Sequence, residues 1–322
     1  MKKHLPILLL FSIISCETVL DIELPEEPNS LVINGIVPAD STWLFRITSS
    51  IHPLDNDYNA SFKAIENAEV SITNSSGENT TLTYNEYPPD YIDCNIEDCT
   101  RYGYYSAKNE PAPVAGEVYT IKVKASGYPE ASSTIQLPLP VQVEALDIRI
   151  PSIYGSNSEQ NGAFNITDIT GEKNYYIFEL YNLIEQKRAI YDDDYNVIGY
   201  DSVAFYEKGE LSSPDASVIN SSVSGFDNND FKPYLLINDE LFDGSKHEIN
   251  FKSRIYTVTT ENKFTFVLKH ISESYYKYLL SYESYDYSED NPFAEPAQVF
   301  SNVENGLGII ATYAADTMII TK

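Results

Sequence analysis

Cations are scarce in this sequence. Lys and Arg together number 21 against 48 Asp and Glu, giving a formal charge of −27. Such a chain does not readily gather a phosphate-neutralising face, which argues against nucleic acid as a partner. It is equally ill suited to lying on anionic lipid by charge alone. Histidine is rare too, with four copies, and His52, His247 and His270 are scattered. That scatter argues against a Ser–His–Asp arrangement or a His-rich metal site. No G-x-S-x-G elbow, phosphate loop or H-E-x-x-H occurs. No apolar run approaches the ~20 residues of a spanning helix. Trp occurs once and Met twice, so aromatic surface rests on 26 Tyr and 14 Phe.

What is present starts with MKKHLPILLLFSIISC, Met1 to Cys16. Lys2 and Lys3 form a positive n-region, and an apolar run from Leu5 to Ile14 leads to Ile13-Ile14-Ser15-Cys16. The run is short enough for a cleaved secretory signal. Its end resembles the bacterial lipobox, which implies cleavage before Cys16, diacylation of its thiol (palmitate-type chains) and an acylated amine. Several chains on one Cys anchor stably, at roughly 0.8 kcal/mol per buried CH₂. A plain signal peptide that happens to contain Cys is the alternative. With Cys16 taken by lipid, Cys94 and Cys99 remain, in DYIDCNIEDCTRYGYY. In an exported chain the pair reads as a local disulfide that rigidifies a loop tip, ahead of free thiols and of a metal site. No metal and no cofactor is expected.

The sequence predicts an all-β protein in the main, built of two β-sandwich-like domains. Residues 1–15 are the signal peptide, and 16–30 an acidic tether with Glu17, Asp21, Glu23, Glu26 and Glu27. From Leu31 the apolar period is two. Trp43, Phe45 and Ile47 alternate with polar neighbours, as do Val70 and Ile72, then Tyr119, Ile121, Val123 and Ala125. Asn74-Ser75-Ser76-Gly77 and Gly127-Tyr128-Pro129 supply turns. Short alternating strands with such turns describe an antiparallel sandwich. Residues 31–138 look like an immunoglobulin-like or transthyretin-like module, and Pro138 and Pro140 mark its end.

Residues 141–322 read as a second β-rich domain with one inserted α-helix near 272–285. Strands are expected at Val143–Ile150, Phe164–Ile169, Tyr175–Leu180, Lys252–Thr260, Lys263–Lys269 and, last, Met318–Thr321, around a loop-rich middle. Tyr275, Tyr278, Tyr282 and Tyr285 fall three and four apart, a single helical stripe. Ser272 or Ser274 is placed to cap that helix. The stripe reads as packing on a sheet, with sugar stacking by Tyr275, Tyr278 and Tyr282 as the functional alternative. Asp192-Asp193-Asp194 and the acids of residues 226–230 match no calcium-loop pattern and read as solvated turns. Carboxylates are so many that a glycosidase-type pair cannot be singled out. Asp40-Ser41-Thr42, Asp201-Ser202-Val203 and Asp316-Thr317-Met318 resemble O-glycosylation acceptors, a weak signal in a Ser/Thr-rich chain.

The tail is more specific. Asn291-Pro292-Phe293-Ala294-Glu295-Pro296 and Val299-Phe300-Ser301-Asn302-Val303-Glu304-Asn305-Gly306-Leu307-Gly308-Ile309 resemble the closing signature of an uncharacterised Bacteroidota lipoprotein family, DUF4249. Other matching stretches are the SCE start, LVINGIV at Leu31, GEVYTIKV at Gly116, Asn174-Tyr175-Tyr176 and Asp239-Glu240-Leu241-Phe242-Asp243-Gly244. Ile310-Ala311-Thr312 departs from an aromatic-Gly pair commoner there. The resemblance implies a two-part β-rich lipoprotein, often encoded beside a TonB-dependent outer-membrane receptor, and carries over no catalytic residue. Physically, Gly306 and Gly308 suit positive φ or close backbone approach, and Asn302 and Asn305 suit turns. The tail therefore reads as closing the second sandwich. Contact with a ligand or partner through Asn302, Glu304 and Asn305 is the alternative.

Together these readings predict a non-catalytic lipoprotein of the outer membrane, anchored at Cys16 on the cell surface or the periplasmic face. It would assist a TonB-dependent transporter in substrate capture. The alternative is a structural or adhesive surface protein that binds other surface proteins or glycans; an enzyme acting on polysaccharide or peptide stands third.

Overall fold

The computed structural model describes residues 29–51, 64–86, 103–107, 111–148, 159–192, 195–219, 231–255, 263–289, 295 and 297–321. The signal peptide with Cys16, the tether to residue 28, His52, Cys94, Cys99, Asp193, Asp194, and residues 226–230 and 291–294 lie outside them.

The first seven strands are β1 (Leu31–Pro38), β2 (Leu44–Ser49), β3 (Glu69–Asn74), β4 (Asn79–Asn85), β5 (Tyr104–Ser106), β6 (Val118–Lys124) and β7 (Ala131–Gln136). Their alternation has the expected result: Trp43, Phe45, Ile47, Val70, Ile72, Tyr119, Ile121 and Val123 all turn into one core. Both predicted turns form, with Gly77 at φ 88° and Gly127 at φ 87°. Buried Tyr105 pins the loop ahead of β3, its hydroxyl donating to the Ile65 carbonyl at 2.5 Å and accepting from the Ala68 N–H at 2.8 Å.

Next come β8 (Val143–Ile148), β9 (Gln160–Thr167), β10 (Tyr175–Tyr191), β11 (Val197–Lys208), β12 (Glu210–Ser212), β13 (Leu235–Asn238), β14 (Lys246–Arg254) and β15 (Lys263–Ile271). Helix α1 (Glu273–Glu289) and β16 (Leu307–Thr321) end the series. Twelve strands share one sheet in the order β11-β10-β15-β16-β1-β2-β5-β4-β3-β6-β7, with β13 also on β10. Four more form a second sheet, β12-β14-β9-β8. The second core lies between this small sheet and the β10, β15, β16 part of the large one; stacked Phe164 and Phe178, 3.9 Å between centroids, sit in it. The protein is thus mainly β and sandwich-like.

Three local expectations need correction. The middle is not loop-rich: β10 and β11 form a long hairpin paired from Tyr181↔Lys208 to Tyr191↔Val197. Its charged and small residues follow no apolar period because, beyond Leu183, the hairpin has no third strand among the described residues. The last strand starts at Leu307 rather than Met318, since Ala311, Ala314 and Ala315 break the apolar alternation without breaking the backbone pairing. The helix reaches Glu289, with Ser272 as its cap: Ser272 Oγ accepts from the Tyr275 N–H at 3.3 Å.

Strand β16 joins the two cores. Residues 307–313 run parallel to β1, from Val32↔Leu307 to Pro38↔Tyr313. Residues 313–321 run antiparallel to β15 on the opposite edge, from Ile271↔Tyr313 to Lys263↔Thr321. Val303 and Ile310 belong to the first core, whereas Met318 and Ile320 pack on the second. The tail therefore packs into both cores, not the second alone. Just ahead of β16, Glu304 and Ser132 of β7 exchange backbone hydrogen bonds of 3.1 and 2.7 Å, which draws the far end of the large sheet back to its middle. Helix α1 covers the outer face of the sheet, where Tyr276 stacks on Tyr175 at 4.1 Å and Tyr275, Leu279 and Leu280 surround Ile177, Leu236 and Ile271.

Candidate functional site

Where the crossover from β7 meets the start of α1, the surface opens into a cleft of about 400 Å³. One wall is the end of β7 and Pro138-Leu139, another the loop of residues 169–174, and a third His270 to Ser274 at the head of α1. Asn302, Ile310 and Thr312 also line it. Thr312 ties β16 to the β7 wall, its hydroxyl donating to the Gln136 carbonyl at 2.7 Å. Of the residues that carried the resemblance at 174–176 and at 302–309, Asn174 and Asn302 meet here.

His270 is the titratable group best placed to act chemically, and it is held. Its ring is buried, with Nδ1 2.7 Å from the Leu139 carbonyl, which can only accept, so Nδ1 carries the proton. Burial lowers its pKa, keeping the imidazole neutral. The helix head is likewise engaged, because Ser272 caps it. The cleft is thus lined by a neutral imidazole, a capped helix end, Glu172, Lys173 and Glu273.

Behind the cleft, carboxylate oxygens of Asp168, Asp239 and Asp243 lie within 4.8 Å of one another. A hard cation takes such ligands, yet protein groups already engage all three. Asp168 accepts from the Tyr176 hydroxyl and from the Gly244 N–H at 2.8 Å. Asp239 accepts from the Asn174 N–H at 2.7 Å, and Asp243 from the Gly171 N–H at 2.9 Å. Burial, with Asp168 adding to it, raises the Asp239 carboxyl above its ordinary range. The trio ties two loops together, which accounts for Asp239 and Asp243 in the Asp239–Gly244 stretch.

The residues singled out from sequence fall in two places. Tyr275 packs inward beneath α1; Tyr278 and Tyr282 stack on each other at 5.9 Å, with Tyr282 exposed. Asn302 makes two bonds to Ile310, Nδ2 donating to its carbonyl and Oδ1 accepting from its N–H, both at 2.9 Å. Glu304 forms the bridge to Ser132, and Asn305 takes a left-handed turn at φ 55° with Nδ2 3.4 Å from the Glu130 carbonyl. The structure brings Asn302 to the cleft and leaves Tyr278 and Tyr282 on the helix surface.

Sequence reasoning passed over His270 and Glu179. The signal for Glu179 was available: one acid inside the strand run YYIFELY, at an alternating position where an apolar residue is expected.

The family model described as Domain of unknown function (DUF4249) matches residues 17–319. No curated protein matches the chain.

Proposed function

The chain belongs to the DUF4249 family, and from that premise we propose that it is a non-catalytic outer-membrane lipoprotein that captures substrate for a TonB-dependent transporter. The observation that carries this reading is the cleft at the junction of the two cores, whose imidazole is buried, neutral and already bonded. It offers binding surface without an activated group. The lipobox-like end at Cys16 and the acidic tether after it support an acyl anchor facing the cell surface. Among the described residues no helix is long and apolar enough to cross a membrane, so in this reading the acyl chains hold the protein. The exported setting also predicts the Cys94–Cys99 disulfide, which thiol labelling with and without reductant checks.

The test is gentle detergent extraction of tagged protein from native outer membranes, followed by identification of what co-purifies. A TonB-dependent receptor in stoichiometric amount is expected, and Cys16→Ser should release the protein from the membrane. Recovery of the lipoprotein alone, with the receptor present in the same extract, overturns the transport role.

One feature favours the second reading, a structural or adhesive surface protein. The β10–β11 hairpin exposes Ile198 by 65 % and Tyr200 by 68 %. Large side chains so far from a core are suited to contact with another surface.

A further inference from the structure

The outer face of β10 presents a stripe of Tyr175, Ile177, Glu179 and Tyr181, of which α1 covers the first two. Glu179 is only 5 % exposed. Lys208 of β11 approaches its Oε1 at 2.8 Å, Lys269 of β15 its Oε2 at 2.5 Å, and the Tyr181 hydroxyl donates to Oε2 at 3.0 Å. Burial by itself would push the carboxyl up, but the two ammonium groups override it and hold the acid below its ordinary range. The cluster therefore carries two positive charges and one negative, a local excess of +1 on a chain of net −27.

Neutralising a buried carboxylate takes one cation, and an ion pair is no general source of stability. The second Lys is surplus to that role. Both ammonium groups spend one contact on Glu179, and each has N–H donors to spare. Aromatic rings wall them in: the Lys208 Nζ lies 5.6 Å from the Tyr181 ring centre and 5.8 Å from that of Tyr234, and Lys269 Nζ lies 5.0 Å from that of Tyr313. Tyr275 of α1 joins Tyr234 and Tyr313 in the same packing. Burial raises all three phenols, so they stay protonated and able to donate. None of the three hydroxyls hydrogen-bonds to a described residue. Next to Tyr181, Tyr206 is 59 % exposed and meets it edge-on at 6.4 Å.

We propose that this face is a binding site for a carboxylate-bearing sugar, with the uronate carboxylate on Lys208 and Lys269 and the sugar ring among Tyr234, Tyr275 and Tyr313. The charge selects a monoanion: a carboxylate cancels the local excess, whereas a dianionic phosphate would leave net negative charge on an already acidic protein. The phenols select the ring. An apolar ring would displace water from three hydroxyls and strand them, and a polyhydroxylated ring returns a partner to each. Glu179 keeps both ammonium groups fixed in place before the ligand arrives. The site lies on the α1 face of the sheet, whereas His270 is turned the other way towards Tyr176, so it does not depend on the transport reading.

The test is calorimetric titration of the mature full chain with trigalacturonate, with galactotriose as the neutral arm and acetate as the sugar-free arm. Trigalacturonate should bind, and galactotriose should not. Lys208→Met should weaken binding by about tenfold or more, the scale of one charge-assisted contact, while Lys269 keeps Glu179 paired and the fold intact. Tyr313→Phe, which removes a single hydroxyl that hydrogen-bonds to no described residue, should weaken it several-fold at an unchanged melting temperature. Absence of trigalacturonate binding, equal binding of galactotriose, or full affinity in both variants overturns the site. Acetate competing as strongly as trigalacturonate at equal concentration overturns the sugar half of the assignment.

Discussion

Asn302→Ala isolates a side chain that replaces a strand. On the edge of β16 away from β1, Ile310 has no neighbouring strand among the described residues, and the next group along, the Thr312 carbonyl, is taken by the Ser272 N–H at 3.0 Å. From Tyr313 onward β15 takes over. Asn302 fills the gap with its amide, bonding both the N–H and the carbonyl of Ile310 at 2.9 Å. Ile310 is 0 % exposed, so water cannot readily replace the amide. Each bond is worth roughly 0.5–1.5 kcal/mol net, and each buried group left bare costs about 1–3 kcal/mol. The expected loss is therefore about 2–4 kcal/mol, a large part of the ~5–15 kcal/mol that holds a domain together. The single Trp, Trp43, is buried in the first core with Val303 and Ile310 and makes a convenient probe of urea unfolding. The midpoint should fall by about 1 M, given urea slopes of roughly 1–3 kcal/mol per M or more. Asn302→Asp keeps the acceptor, loses the donor and sets a carboxylate against the Ile310 carbonyl, so it should fare no better. A midpoint unmoved in both variants refutes the reasoning and returns Asn302 to the role of a ligand contact.

Two further predictions are checked by the same means. Gly308 combines φ +103° with a position where a Cβ would sit 2.2 Å from the Ile33 carbonyl oxygen. Gly308→Ala should cost more than about 3 kcal/mol or abolish folding, whereas Gly77→Ala, at φ +88° with open space around it, should cost only about 1 kcal/mol of backbone strain. His270 supplies a pH signature. Its folded pKa is lowered by burial, so its contribution is intact above the unfolded value near 6.5. As pH falls below that value the unfolded chain takes up a proton that the folded one refuses, and stability drops by up to ~1.4 kcal/mol per pH unit. His270→Gln should flatten the melting temperature between about pH 6.5 and 5; an unchanged slope would show that other groups set it. Asp239, raised by burial, works with the opposite sign at lower pH.

The alternating strands of the first core were legible because they face water on one side and the core on the other. Val70 and Ile72, or Tyr119, Ile121 and Val123, reveal themselves at a spacing of two residues. The tyrosine stripe marked α1 for the same kind of reason, with one face buried at 3.6-residue spacing. Where a segment lacks that one-sided burial the signal fails, as in the two-stranded hairpin and in the alanine-rich middle of β16. The pairing of Val32 with Leu307 has no local trace at all, since a parallel partner hundreds of residues away leaves no turn to read. The Lys–Glu–Tyr cluster was hidden likewise. Glu179, Lys208, Lys269 and Tyr313 come from four strands, and only sheet order makes them neighbours. Glycines were the exception: Gly306 and Gly308 stood out in the sequence, and both lie against β1 carbonyls.

The parallel contact between β1 and β16 also sets a schedule. β16 leaves the ribosome after every other described strand of either core, yet it pairs with both β1 and β15. Until it arrives, the first core lacks Ile310 and the second lacks Met318 and Ile320. Neither half can finish early while the other is still being made, and closing so long a loop is slow. The nascent protein must stay soluble with its sheet edges open to the last moment, and a strongly negative chain, whose copies repel one another, is suited to that wait.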